Sequence, residues 1–201
     1  MDNDSFLSLK GRSEGLFKAK GSKHFGFAVP VRSEDDVKAF LGLIRKEHHS
    51  ARHHCYAYRL GHDGSIKKST DDGEPSNSAG PPILGVLRSH NLTNALIVVV
   101  RYFGGTKLGV GGLIEAYREA GRAAVESGDI ITCIRTNTFI ISYPYAKMGE
   151  VMSILKRADI SPENTEFKLT CSLEATIRLR DSDVFEKQMS NVDEVQVELC
   201  N

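Results

Sequence analysis

Hydrophobic and polar residues alternate along residues 15–31, GLFKAKGSKHFGFAVPV. The alternation is interrupted at Gly21 and Gly26, so it predicts two short strands or one bent strand. A helix is predicted next, because Ser33 is a good N-cap residue and Asp36 stands three positions later, as in a capping box. The apolar residues that follow have the i, i+3, i+4, i+7 spacing of a helix: Val37, Phe40, Leu41 and Ile44.

The next segments predict a buried strand followed by a surface helix. Residues 96–103, LIVVVRYF, are an unbroken and largely β-branched run, which is typical of a strand covered on both faces. Before it, a strand is predicted from Cys55 and helical spacing is seen from Leu84. After it, an apolar stripe opposite charged residues predicts a surface helix that begins near Gly111 or Gly112 and ends near Gly128.

The last third of the chain has a different order of elements. Six segments read as strand, helix, strand, strand, helix and strand: TFIISYPY, KMGEVMSILKRAD, TEFKLTC, LEATIRLR, DVFEKQMSN and EVQVELC. This is the order of a ferredoxin-like, or split βαβ, plait. We therefore expect an α+β protein of two domains, residues 1–135 and residues 136–201.

Composition indicates an ordinary globular protein of the cytoplasm. The 201 residues are 40% hydrophobic and 26% charged, and no run of about 18 apolar residues predicts a membrane span. The polar, acidic start MDNDSFLSLK does not resemble a secretion signal. The four cysteines lack zinc-site spacing, so we expect reduced thiols in the cytosol.

The net charge of zero hides a difference between the two parts. Residues 1–135 contain 19 Lys and Arg against 15 Asp and Glu, a charge of +4, and the remainder carries −4. An anionic partner is therefore expected to meet the N-terminal part. This excess is too small to indicate DNA sequence recognition.

A glycine-rich stretch, RYFGGTKLGVGG, joins the predicted buried strand to the surface helix (residues 101–112, the glycine turn). Such a connection leaves backbone N–H groups unpaired at a helix N-terminus, which is where phosphate and other anions bind. Arg101 and Lys107 can add positive charge, and five glycines allow a ligand to come close: Gly104, Gly105, Gly109, Gly111 and Gly112. The P-loop and dinucleotide motifs are absent.

A structural interpretation of the glycine turn is equally open. The glycines then provide positive φ in a tight connection, and Arg101 pairs with a loop carboxylate. If an anion binds instead, Gly111→Val is expected to damage both binding and stability, through a clash of the β-branched side chain if φ is positive there.

The sequence DDGEPSNSAGPPIL, residues 71–84, has two interpretations as well. Asp71, Asp72 and Glu74 can hold a divalent cation through carboxylate oxygens, or one of them can be a general base. Alternatively, the aspartates cap their own backbone and the prolines stiffen the turn. We favour turn chemistry, and so assign no metal ligand and leave any cofactor unknown. Residues 71–78 (the acidic loop) are expected to lie beside the glycine turn, with Arg101 reaching one of the carboxylates.

Histidines cluster after the first predicted helix, in HHSARHH. His49 and His53 stand four apart, which would suit a metal if the helix continued, but a C-terminal cap by positive side chains is favoured. His53 or His54 beside Asp72 is a candidate proton-transfer pair.

Three separated motifs, HHSARHHCYAYRLG, DDGEPSNSAGPPIL and VVVRYFGGTKLGVGGLIEAY, resemble the signature segments of the IMPACT family. They occur in the family's order, and the length resembles its bacterial YigZ branch. The resemblance implies an N-terminal α/β sandwich similar to the fourth domain of elongation factor G, and a C-terminal plait similar to its fifth. Eukaryotic relatives are regulators of translation. No catalytic residue is implied.

Two functions therefore follow as expectations. The first is a cytosolic, translation-associated binding protein that contacts RNA, the ribosome or a translation factor through its N-terminal domain. The alternative is a metal-dependent enzyme acting on a small phosphate-containing or nucleotide substrate. We favour binding over catalysis.

Overall fold

The computed structural model describes residues 4–200 and divides the chain into two units. Phe6–Cys133 form the N-terminal unit, and residues from Ile134 onward, together with Asp4 and Ser5, form the C-terminal unit. No helix within residues 4–200 is long and apolar enough to cross a membrane.

The N-terminal unit alternates strands with three helices. Its elements are β1 (Ser5–Leu9), β2 (Ser13–Ala19), β3 (Ser22–Pro30), α1 (Glu34–Glu47), β4 (His53–Leu60), β5 (Ile66–Thr70), α2 (Gly80–Ser89), β6 (Ala95–Tyr102), α3 (Gly109–Glu126) and β7 (Ile130–Ile134). Five strands form one antiparallel sheet in the order β2-β3-β6-β4-β5, and β1 pairs with β7 in a separate two-stranded sheet.

Strand β6 lies at the centre of the five-stranded sheet and is covered on both faces, as predicted. Ile97 and Val99 belong to the core beneath α2 and α3, whereas Val98 and Val100 belong to the core on the face of α1. An uninterrupted apolar run suits this position, because successive side chains of a strand point to opposite faces.

Helix α1 begins where the capping box predicted. The Ser33 side chain accepts a hydrogen bond from the Asp36 backbone N–H, and the Asp36 carboxylate accepts one from the Ser33 N–H. Two strands are also present in residues 15–31, as the alternation indicated.

Some predicted boundaries were wrong and two strands were missed. Helix α3 starts at Gly109, earlier than Gly111 or Gly112, and β4 starts at His53 rather than Cys55. Strands β1 and β5 had not been predicted. Strand β5 carries exposed lysines at the sheet edge, so its sequence, IKKST, lacks a clear apolar alternation.

The C-terminal unit has the predicted order of elements. They are β8 (Thr136–Pro144), a 3₁₀ turn (Tyr145–Lys147), α4 (Met148–Arg157), β9 (Glu163–Glu166), β10 (Thr170–Arg178), α5 (Leu179–Ser190) and β11 (Gln196–Leu199). The sheet order is β11-β8-β10-β9. The strand predicted over TEFKLTC is instead split between β9 and the start of β10, because the chain turns between them. The Asp4 carboxylate accepts hydrogen bonds from Arg178.

Candidate functional site

A cleft of about 750 Å³ opens in the N-terminal unit at the end of β6 (the first cleft). Its walls bring together the approach to β4, the acidic loop, the glycine turn and the start of α3. The lining residues are 50–53, 74–75, 101–103, 107–110 and 113. The acidic loop and the glycine turn, separated in sequence, therefore share one cleft, as expected.

An arginine and two histidines form a row across the sheet beside this cleft. Arg101 of β6 is opposite His24 of β3 on one side and opposite His53 of β4 on the other. Arg101 follows Ile97 and Val99 at two-residue spacing, so it lies on the α2 and α3 face of the sheet. Its side chain is only 9% exposed, and a charge buried to this extent requires a partner.

Glu74 of the acidic loop is that partner. Arg101 Nη1 lies 2.7 Å from Glu74 Oε1 and 3.0 Å from Oε2, and the Glu74 side chain is 3% exposed. The Tyr117 hydroxyl of α3 donates a third hydrogen bond to Oε1 at 2.8 Å. The predicted contact between Arg101 and a loop carboxylate is present, and it is a buried ion pair supported by α3.

His53 is oriented by the acidic loop. Its Nδ1 lies 2.9 Å from the Asp72 carbonyl oxygen, and since a carbonyl only accepts, Nδ1 carries the proton. The other nitrogen, Nε2, is 3.9 Å from Glu74 Oε1. His53 therefore presents Nε2 toward the carboxylate at the wall of the first cleft.

The candidate proton-transfer pair between a histidine ring and the Asp72 carboxylate is not formed. That carboxylate accepts a hydrogen bond from the backbone N–H of His54 at 2.7 Å. The His54 ring is buried, and burial lowers its pKa. His53 and His54 are neighbours in a strand, so their side chains point to opposite faces. The helix also ends at Glu47, so His49 and His53 are not one helical turn apart.

The acidic loop shows the turn chemistry that the sequence favoured. Asp71 accepts hydrogen bonds from the backbone N–H groups of Asn77, Ala79 and Gly80 at 2.8, 2.9 and 2.8 Å, which caps the N-terminus of α2. Asp72 and Glu74 have the other partners described above. The three carboxylates thus do not converge, and no group of metal-ligating side chains is found within residues 4–200.

Three glycines of the glycine turn have a clear structural role. A Cβ atom on Gly104 would lie 1.9 Å from the carbonyl carbon of Gly21, so the two backbones are in contact there. Gly109 has φ of +75°, which favours glycine; Gly105 is similar, at +88°.

Gly111 and Gly112 lie within α3 without positive φ. A Cβ on Gly111 would meet nothing within 4 Å, and one on Gly112 would lie 3.1 Å from Leu108 Cβ. The premise that valine at position 111 clashes through a positive φ was therefore wrong.

The N-terminus of α3 faces the first cleft without a cap. Among the residues that the structure describes, no side chain caps this helix, and its first turn contains no acidic residue. Lys107, Leu108, Gly109 and Val110 all line the cleft, and Lys107 is exposed. The N-terminus of α2 differs, because Asp71 accepts hydrogen bonds from its backbone N–H groups.

Sequence reasoning missed three buried polar residues behind the cleft. His24, Cys55 and Tyr117 are fully buried, and the His24 and Tyr117 rings meet edge to face with centroids 5.2 Å apart. Burial, and then the nearby Arg101, lower the pKa of His24 to about 4. Burial also raises the pKa of the Cys55 thiol and the pKa of the Tyr117 hydroxyl, so both remain protonated. Tyr117 is a member of the apolar stripe that predicted the surface helix, although its hydroxyl requires a buried partner.

Phe103 was also missed. It is 60% exposed and borders both the first cleft and a smaller one of about 380 Å³ (the second cleft). The second cleft is lined by Gly21, Lys23, Phe25, His48, Tyr102 and Phe103. No signal in the sequence indicated this exposure, because Phe103 ended the run of residues 96–103 that was predicted as a strand covered on both faces, whereas β6 ends at Tyr102.

Comparison with known proteins is consistent across sequence and fold. The Impact N-terminal domain family matches residues 20–125. IMPACT family member YvyE of Bacillus subtilis is 30% identical over 191 residues, covering 94% of this chain and 87% of the relative. IMPACT family member YigZ of Escherichia coli is 30% identical over 151 residues, covering 74% of each chain. A crystal structure described as a hypothetical protein has a TM-score of 0.72 at 25% identity, covering 98% of each chain.

Proposed function

The chain belongs to the IMPACT family, and we propose that it is a translation-associated protein that binds RNA through the first cleft. The translational context follows from the family resemblance. Within that context we assign residues 1–135 to an α/β sandwich similar to the fourth domain of elongation factor G. Residues 136–201 are assigned to a ferredoxin-like plait similar to its fifth. We place the protein in the cytoplasm, which the four free cysteines support.

The single observation that carries RNA binding is the uncapped N-terminus of α3 beside Lys107 in an open cleft. Exposed backbone N–H groups and the helix dipole favour an anion there. Arg52 and Lys107, both exposed, add positive charge to the same walls. The only carboxylate among the lining residues belongs to Glu74, and Arg101 already neutralises it. The cleft therefore has a positive balance suited to phosphate groups.

The alternative, a metal-dependent enzyme acting on a phosphate compound, has weaker support. Its proposed ligands, Asp71, Asp72 and Glu74, are each engaged by different protein donors. The oriented His53 is the feature that favours catalysis, because the Asp72 carbonyl oxygen fixes its ring at the wall of the first cleft. A small phosphate compound would bind at the same place, the N-terminus of α3. The two functions therefore differ in their ligands: the enzyme requires a divalent metal ion together with the phosphate compound, whereas the binding protein requires RNA alone.

Lys107→Ala tests the proposal directly. We expect it to weaken binding of a single-stranded RNA of about 12 nucleotides by roughly fivefold to tenfold. The slope of log affinity against log salt concentration should become shallower by about 0.7, which is the effect of losing one phosphate contact. Fluorescence anisotropy at about 50 and about 200 mM salt measures both quantities.

Lys38→Ala is the matched control, because Lys38 is exposed on α1, pairs with Asp35 and does not line the cleft. It should leave RNA affinity unchanged. No RNA binding by the wild-type protein, or equal binding by Lys107→Ala, would overturn the proposal. Binding of a nucleotide only together with a divalent metal ion would favour the enzyme instead.

A further inference from the structure

We propose that Phe103 is a stacking platform for an unpaired base, so that the protein selects single-stranded RNA. This inference rests on the proposed function and specifies its ligand. Phe103 is the first residue after β6 and is 60% exposed, whereas Val98, Val99 and Val100 of that strand are fully buried. It borders both clefts and belongs to neither hydrophobic core of the N-terminal unit, so its ring is accessible to a ligand.

The second cleft offers the surroundings that a base requires. Rings of Phe25, His48 and Tyr102 line it together with Phe103. The Tyr102 hydroxyl is 2.9 Å from His48 Nδ1, and the Phe25 ring meets the Tyr102 ring edge to face at 5.8 Å. These contacts hold the aromatic wall in place before any ligand arrives. A preorganised aromatic surface lowers the cost of ordering side chains on binding.

Charge identifies the occupant as a nucleic acid strand. Lys23 lines the second cleft, which has no acidic lining residue, and Arg52 and Lys107 line the first. Arg101 Cζ lies 5.5 Å from the Phe103 ring centroid, a cation–π contact that helps to hold the ring in place. Binding sites for single strands combine positive charge along the backbone path with aromatic rings for the bases. A base stacked on Phe103 would lie beside the wall that carries Lys107, where the adjacent phosphate is expected.

Base pairing would prevent this arrangement, because a paired base is stacked within its duplex. Recognition through Phe103 therefore predicts a preference for unpaired nucleotides. Every base has a π face, so little preference among sequences is expected.

The test uses Phe103→Leu, Phe103→Tyr and the control Phe167→Leu in the full chain. Phe167 is 64% exposed and lines neither cleft, so it matches Phe103 in exposure. The probes are a labelled single-stranded RNA of about 12 nucleotides, the same RNA as a duplex, and an abasic strand with the same backbone. Thermal unfolding verifies that each variant is folded.

We expect Phe103→Leu to weaken single-strand binding by roughly tenfold and to leave affinity for the abasic strand unchanged. Phe103→Tyr should restore binding and Phe167→Leu should have no effect. Wild-type protein should bind the single strand more tightly than the duplex.

Equal single-strand affinity of Phe103→Leu and wild type, or equal binding of the duplex, would overturn the stacking role. RNA binding itself would survive that result if Lys107→Ala still weakened it. Loss of abasic-strand affinity in Phe103→Leu would also contradict stacking, because only the backbone is available there.

Discussion

A single nitrogen of Arg101, Nη1, donates hydrogen bonds to both carboxylate oxygens of Glu74, at 2.7 and 3.0 Å. Both side chains are buried, and Tyr117 donates to the same carboxylate. The pair joins the acidic loop to the central strand and to α3. It also neutralises the one carboxylate among the residues described as lining the first cleft.

Breaking this pair should destabilise the N-terminal unit. Glu74→Gln leaves Arg101 buried without a counter-charge, so we expect the free energy of unfolding to fall by on the order of 3 kcal/mol. Urea denaturation measures the loss. Glu115→Gln, at an exposed position of α3, is the control and should change little. Replacing both partners with apolar residues, as in the Glu74→Leu, Arg101→Met double variant, should recover part of the stability, because no charge is left buried, although the Tyr117 hydroxyl still loses its acceptor. A double variant less stable than Glu74→Gln would contradict this explanation.

His24 should make stability depend on pH. Burial lowers its folded pKa to about 4 from the ordinary 6.5, so the unfolded state gains a proton first on acidification. The free energy of unfolding therefore keeps its full value above pH 6.5. It decreases as the pH falls toward about 4, by about 3 kcal/mol in total. His24→Phe should remove this part of the loss while keeping the edge-to-face contact with Tyr117. Neither His24 ring nitrogen has a hydrogen-bond partner among residues 4–200, so the His24→Phe substitution breaks no side-chain hydrogen bond.

Urea denaturation of wild type and His24→Phe across this pH range measures the difference. The control is His62→Gln, because His62 is exposed. Its free energy of unfolding should fall on acidification as steeply as that of the wild type. An equally steep decline in His24→Phe would show that His24 is not the titrating group.

Asp71 should contribute to stability through α2. Asp71→Ala removes the acceptor for the N–H groups of Ala79 and Gly80 and should cost about 1–2 kcal/mol. Asp35→Ala is the control, because the Asp35 side chain is 88% exposed in a surface pair. The free energy of unfolding from urea titration distinguishes them. Equal small effects would mean that the loop carboxylate is dispensable for the helix.

The glycines of the glycine turn should respond differently to the same substitution. Gly104→Ala places a Cβ 1.9 Å from the Gly21 carbonyl carbon and should cost about 1–3 kcal/mol through a backbone shift. Gly111→Ala meets nothing within 4 Å inside a helix and should be neutral or stabilise by about 0.5 kcal/mol. Thermal unfolding of the two variants provides the comparison. A large loss in Gly111→Ala would indicate a contact absent from this structure.

Local sequence was sufficient for the helices and strands other than β1 and β5. Three features could be predicted because each depends on residues within a few positions of one another. They are the capping box of Ser33 and Asp36, the apolar run of β6 and the apolar stripe of α3. The start of α3 and strand β5 could not be predicted, since Gly109 has no recognised capping side chain before it and β5 has no apolar alternation. The charges of Arg101 and the acidic loop also predicted their contact, although not which carboxylate would make it.

The sequence by itself determined the family motifs, the helical and strand periods, and the concentration of positive charge in the first 135 residues. Only the tertiary structure decided that His24, Arg101 and His53 form one row, because strand register depends on pairing between distant segments. It likewise decided that Asp71 caps a helix while Glu74 is buried against Arg101. Neighbouring carboxylates of one loop acquire different roles because the loop turns between them, and the donors they meet come from elements far away in the chain.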